Sequence, residues 1–332
     1  MSNVLIVFSM MDKYVFLLIY TSGLIGSIFN IFMFLQKRLR SIPCSTYFFA
    51  NSIVDLCFMN SFVIIQLIAL FNSEIAASIT STNLWCKLGN YAYFLLPCLA
   101  STYITFASID RFCATSSNQI LHKVSQLKIS YILASMIFFI WSLFALHILI
   151  SYNRMRSTPT SSIRCNPQLN IAAVFIVIDG FFYALFNGAI VPALLILFGL
   201  LIFRNVRLIH RRIDPQSIPP NHHRHYHLIT ILFFQVSLTI ILYTSFVVYY
   251  LYGIYNSTPK DPLVLLIYQV FIYIARWFWC INFCKAFYVN ILFSHTFRSI
   301  FKRTMHQLIS SQHGIHRTGP QTNQHHLHSN IN

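Results

Sequence analysis

Charge is what this 332-residue chain has least of. Asp, Glu, Lys and Arg together make up 9 % of it, against roughly 25 % in soluble domains. Apolar residues take 56 %, and a water-soluble fold could not keep that much apolar surface from aggregating. There is no internal repeat and no matched pair of Gly/Pro-broken apolar spans, the pattern expected of many secondary transporters. Two histidine groups (His222, His223, His225 and His227; His325, His326 and His328) have no Cys or acidic companions, so they read as solvated loops, not metal sites. Residues 1–13 contain no small-residue cleavage pattern, so the first apolar span is expected to act as a signal anchor. The net charge of +16 does not point to nucleic acid, because the basic residues fall in short runs between apolar spans.

What is present is a series of long apolar segments. Seven are expected to span a membrane as helices: Tyr14–Leu35, Ser45–Phe71, Leu88–Phe112, Ile129–Ser151, Ile171–Phe203, His227–Ile254 and Val264–Leu292. Each suffices for roughly 30 Å of hydrocarbon. Of the 23 Lys and Arg residues, 15 fall on one side of this arrangement and six on the other. The basic side faces the cytosol. Residues 1–13 are then an extracellular N-terminus, 14–308 the membrane domain and 309–332 a disordered cytosolic tail.

The third segment carries the most information. Cys86 opens it and Asp110-Arg111-Phe112 closes it. At about 1.5 Å per residue, Cys86 and Arg111 are roughly 37 Å apart along a helix, enough to cross a bilayer. A thiol therefore lies at one membrane face and an acid–base pair at the other. Further landmarks follow in order: Gly26-Ser27-Ile28-Phe29-Asn30, Asn51-Ser52-Ile53-Val54-Asp55-Leu56, Trp141, Cys165 in the loop after the fourth span, and Pro192 in the fifth. Taken together, over roughly residues 14–308, the chain resembles the rhodopsin-like (class A) G-protein-coupled receptors.

That resemblance implies an all-α membrane protein, a seven-transmembrane helix bundle with a short amphipathic helix after the seventh span. It implies a Cys86–Cys165 disulfide over the outer mouth, Asp110, Arg111 and Phe112 as the coupling site for a heterotrimeric G protein, and a polar core of Asn30 and Asp55. An allosteric sodium ion is implied there; the alternative is a structural acid without an ion. The other cysteines (Cys44, Cys57, Cys98, Cys113, Cys280 and Cys284) read as packing residues. Phe112 stands where the family has Tyr, Thr244-Ser245 replaces the sixth-helix proline position, and Cys284-Lys285-Ala286-Phe287-Tyr288-Val289-Asn290 stands where Asn-Pro-x-x-Tyr is expected. A receptor that binds ligand without signalling is one alternative; a seven-span transporter or channel is another.

Ionisable groups inside a membrane are functional candidates by default. Arg276, beside Trp277 and Trp279, faces the outer half of the bundle and needs a partner. Asp179 or an acidic ligand group would serve. Lys285 lies deeper and is expected to pair with Asp55 or to snorkel. The pocket-facing stripe of span three includes Tyr93 and Leu96. Amine receptors of this family carry an Asp 18 residues before the Arg, where Tyr93 stands here. Opsins carry a seventh-helix Lys that Lys285 is too deep to match. A peptide ligand, a neuropeptide in family terms, is the remainder, with Tyr93, Leu96, Asp179, Arg276 and Trp277 as its expected contacts. Phe297, Ile300, Phe301 and Leu308 alternate with Arg298, Lys302 and Arg303, the pattern of a helix lying on an anionic inner leaflet. Asn256-Ser257-Thr258 is a glycosylation sequon in an outer loop. The chain is expected to be a plasma-membrane receptor, not an enzyme, with its N-terminus outside and its C-terminus in the cytosol.

Overall fold

The computed structural model describes residues 2–116, 118–155, 164–167, 180–212, 232–245, 247–248, 261–295 and 297–305. Among these, six helices are long and apolar enough to cross a membrane. They are α1 (Ser2–Leu35), α2 (Pro43–Phe71), α3 (Asn83–Thr115), α4 (Leu127–Ser151), α5 (Gly180–Leu208) and α7 (Pro262–Phe293). Between the last two lies α6 (Leu232–Ser245), a shorter apolar helix. The rest of the expected sixth span falls mostly outside the described residues. The protein is a multi-pass, all-α membrane protein by this architecture.

The helix starts have local causes. Pro43 and Pro262 occupy first-turn positions, where the missing N–H has no intrahelical role. The Thr82 side chain accepts from the Trp85 N–H, and the Asp261 carboxylate from the Leu263 N–H, capping α3 and α7. Two five-residue π turns, Met59–Val63 in α2 and Phe186–Ile190 in α5, interrupt otherwise regular helices.

α3 is the central helix. In its apolar window 72 % of residues are buried, against 17–33 % in the other five. It packs against α2, α4 and α5, while α1 packs against α2 and α7. Gly23 and Gly26 bring α1 close. A Cβ on Gly23 would lie 2.7 Å from Met59 Sδ, and one on Gly26 3.2 Å from Phe287 Cβ. The outer faces are apolar: Leu18, Phe32, Phe139, Leu143, Leu200, Phe203, Ile241, Ile267 and Leu292 are all exposed. A bilayer is the solvent that such faces need. Five ionisable residues of the helices, Asp12, Asp55, Asp110, Arg111 and Lys285, are instead buried inside the bundle.

One boundary differs from expectation. The first helix begins at Ser2, not near Tyr14. Asp12 and Lys13 end the apolar run in sequence, but the helix continues through them because both find partners. Asp12 bonds to α7, and the Lys13 ammonium sits over the Phe71 ring. After α7, residues 297–305 are helical. Phe297 and Ile300 are buried, Phe301 packs edge-on to Phe29 and Phe287, and Lys302 and Arg303 are exposed, giving the amphipathic face expected. Leu308 lies outside the described residues.

Candidate functional site

Three polar layers lie along α3 and its neighbours. At the Cys86 end a two-stranded antiparallel hairpin (β1, Tyr152–Met155; β2, Arg164–Pro167) pairs Arg154 with Cys165. Cys165 is bonded to Cys86 at the start of α3, with Cα atoms 5.5 Å apart. The Asn90 amide, one turn into α3, donates to the Cys86 carbonyl at 2.7 Å and lies 3.2 Å from Cys165 Sγ. The hairpin is thereby tied to the outer end of the central helix.

Next to this end is a cavity of about 460 Å³ between α2, α3 and α7, within the size range of small-molecule sites. Its wall includes Phe62, Trp85, Tyr93, Trp279, Gln66 and Arg276. Tyr93 and Arg276 are thus two of the expected ligand residues. Leu96 packs against the hydrophobic core instead. Trp277 turns away from the cavity, and its indole N–H donates to Asp12 Oδ1 at 2.5 Å. Asp179, Asn256 and both histidine groups lie outside the described residues.

Arg276 has a partner, and it is neither of the two expected. Its Nη2 bonds to Asp12 Oδ2. Asp12 is fully buried, whereas the Arg276 side chain keeps 27 % exposure. The guanidinium also lies over the rings of Phe16 and Tyr273, with centroids 5.0 and 5.3 Å from Cζ. Phe8 stacks on Tyr273 and Trp277 one turn further out. Asp12 was missed because it was counted as part of a solvated terminus. The available signal was an acid inside a continuous helix-length apolar stretch, which demands a partner.

The middle layer is a buried amide network. Asn51 donates to Asp55 at 2.9 Å, Asn290 to Asn30 at 3.1 Å and Gln235 of α6 to Asn290 at 3.0 Å. Lys285 is buried and donates to the Asn282 carbonyl at 2.8 Å and to its side-chain oxygen. Asp55 is buried in the same layer. Asn30 is therefore committed to α7, not to Asp55. The residues do not fit a resident sodium ion: Asp55 already accepts from Asn51, the buried Lys285 amine shares the layer, and a further cation would add a buried charge. Among the described residues no group of three or more His, Cys, Asp or Glu side chains could hold a metal.

At the C-terminal end of α3, Arg111 is 2 % exposed and bonds to Asp110 Oδ2 through Nη2 at 2.8 Å and Nε at 3.3 Å. Ser125, from the segment between α3 and α4, donates to Asp110 Oδ1 at 2.7 Å. Phe112 faces α5, with its ring 5.8 Å from Phe198. Ser125 had no sequence signal, since a loop serine is unremarkable until the fold brings it to a carboxylate. Of the six free cysteines, five are buried as expected; Cys57 is exposed on the outer face of α2. Comparison of the chain with protein-family models and with curated proteins gave no match.

Proposed function

We propose that this chain is a rhodopsin-like G-protein-coupled receptor. It is a seven-helix plasma-membrane protein that binds an extracellular ligand, a peptide by elimination, in the outer cavity and activates a heterotrimeric G protein at its cytosolic end. The observation that carries this reading is the construction of one helix. α3 has a disulfide-anchored hairpin and a cavity at one end and a buried, serine-braced Asp110–Arg111 pair at the other. Tyr93 in the cavity wall and Arg111 are 18 residues apart, roughly 27 Å of helix. A ligand at one end can thus bias the other only by shifting the bundle between two packings. In the resting packing Asp110 holds Arg111. An agonist would favour the packing in which the inner ends of the fifth and sixth helices part and Arg111 is free to meet Gα.

A receptor that binds without signalling is the second reading, favoured by Phe112 and by the missing sixth- and seventh-helix proline motifs. A peptide-library screen on cells expressing the chain, read by G-protein subunit dissociation beside surface binding, tests both. Ligand-driven dissociation supports the first reading. Binding with no dissociation for any Gα class supports the second, and ion or solute flux without either would indicate a transporter.

A further inference from the structure

Arg276 is a cation whose charge is already neutralised while its donors are not exhausted. Among the described residues its hydrogen-bond partner is Asp12, reached through one Nη2–H; Nε is buried and unpartnered, so the donors left to a ligand are those of the two Nη groups. A guanidinium carries five N–H donors. Asp12 stands behind it, fully buried, and Arg276 forms part of the cavity wall. Among the described residues the rest of that wall contains no Asp, Glu or Lys; it is largely aromatic (Phe62, Trp85, Tyr93, Trp279), with neutral amides (Gln66, Asn90), two hydroxyls (Ser61, Thr80) and two isoleucines.

We propose that this cavity receives an uncharged, carbonyl-bearing aromatic group on Arg276, and that Asp12 is the residue that excludes acids from it. The inference rests on the cavity being a ligand site, but not on G-protein coupling. A ligand carboxylate would place two anions on one guanidinium, and like charges brought together without water are strongly disfavoured. An amide or ketone oxygen accepts from the remaining donors without adding charge, and its aromatic portion fits the ring-lined wall. A ligand ammonium would meet Arg276 first, since the Asp12 carboxylate stands behind it. The Asp12 bond and the rings of Phe16 and Tyr273 hold the guanidinium in place before ligand arrives.

The test uses the full-length protein in lipid nanodiscs and two matched sets of N-acetylated aromatic dipeptides, one with C-terminal amides and one with free carboxylates. Thermal stabilisation against concentration gives the amide-to-acid affinity ratio. In the wild type the amides should bind at least about tenfold better. Asp12→Asn should reverse the preference, Asp12→Glu should retain it, and Arg276→Gln should abolish discrimination. Each ratio is taken within one preparation, so a loss of stability in a variant does not alter it. Acid preference in the wild type, an unchanged ratio in Asp12→Asn, or no binding by either set would overturn the proposal. The expected ratios in a protein that never engages Gα would leave it standing and remove the signalling role instead.

Discussion

Removing either partner of the Asp12–Arg276 pair should destabilise the protein, and the two removals should differ. Asp12→Ala leaves the guanidinium alone and deprives the Trp277 N–H of its acceptor. An orphaned buried donor costs about 1–3 kcal/mol. The guanidinium retains 27 % exposure and can recover hydration near the outer interface, so its share stays near the low end of the penalty for a broken pair. The expected loss is about 2–4 kcal/mol. Arg276→Gln strands a carboxylate that is fully buried, which belongs at the upper end, about 3–5 kcal/mol. The charge-free double variant Asp12→Asn/Arg276→Gln should be more stable than Arg276→Gln alone, giving a coupling energy of about 1.5 kcal/mol or more. Unfolding of detergent-solubilised protein can be followed by a thiol-reactive dye, because Cys98 and Cys280 are buried and free. If Asp12→Ala lies within about 0.5 kcal/mol of wild type, as surface substitutions do, the first three turns of α1 do not pack against α7 and the reasoning fails.

Replacing Cys86 or Cys165 with Ser should lower surface expression, and replacing both should add little, since each removes the same bond; roughly additive losses would show that they are not partners. Wild-type thermal stability should be the same in sodium and choline chloride of equal ionic strength, whereas Lys285→Met should lose stability and regain part of it in sodium, as Asp55 acquires a replacement cation; a sodium-dependent rise in the wild type would refute the exclusion of that ion. Ser125→Ala removes a hydrogen bond to the ionised Asp110, a contribution of about 1.5–3 kcal/mol. If that bond holds the resting state, ligand-free G-protein activation should rise about tenfold or more; unchanged basal activity at matched surface level would free Ser125 from this role.

Much of the fold was legible because bilayer spans leave a one-dimensional signal. The expected second, third, fourth and seventh spans each lie within an observed helix, Pro43–Phe71, Asn83–Thr115, Leu127–Ser151 and Pro262–Phe293. The Cys86–Cys165 bond and the Asp110–Arg111 contact were also anticipated, the first through family resemblance and the second because the residues adjoin. The start of α1 was not. Hydropathy counts Asp12 as a helix-ending charge, whereas the fold cancels it with a residue 264 positions away. The amide network was hidden for the same reason. Asn51, Asn282, Asn290 and Gln235 are ordinary polar residues in sequence, and only the packing of α2, α6 and α7 turns them into one buried layer. The π turns at Met59–Val63 and Phe186–Ile190 also have no periodicity of their own to read.

The role proposed for Arg111 is to pass ligand binding outside to a G protein inside. Its most direct test is nucleotide exchange on purified Gα, with wild-type and Arg111→Ala protein reconstituted in nanodiscs and a ligand from the dissociation screen. Ligand should stimulate exchange with the wild type and not with Arg111→Ala, and ligand affinity should be nearly unchanged between them, because Arg111 is buried at the end of α3 remote from the cavity. Undiminished exchange by Arg111→Ala, at equal protein and equal ligand occupancy, would contradict it.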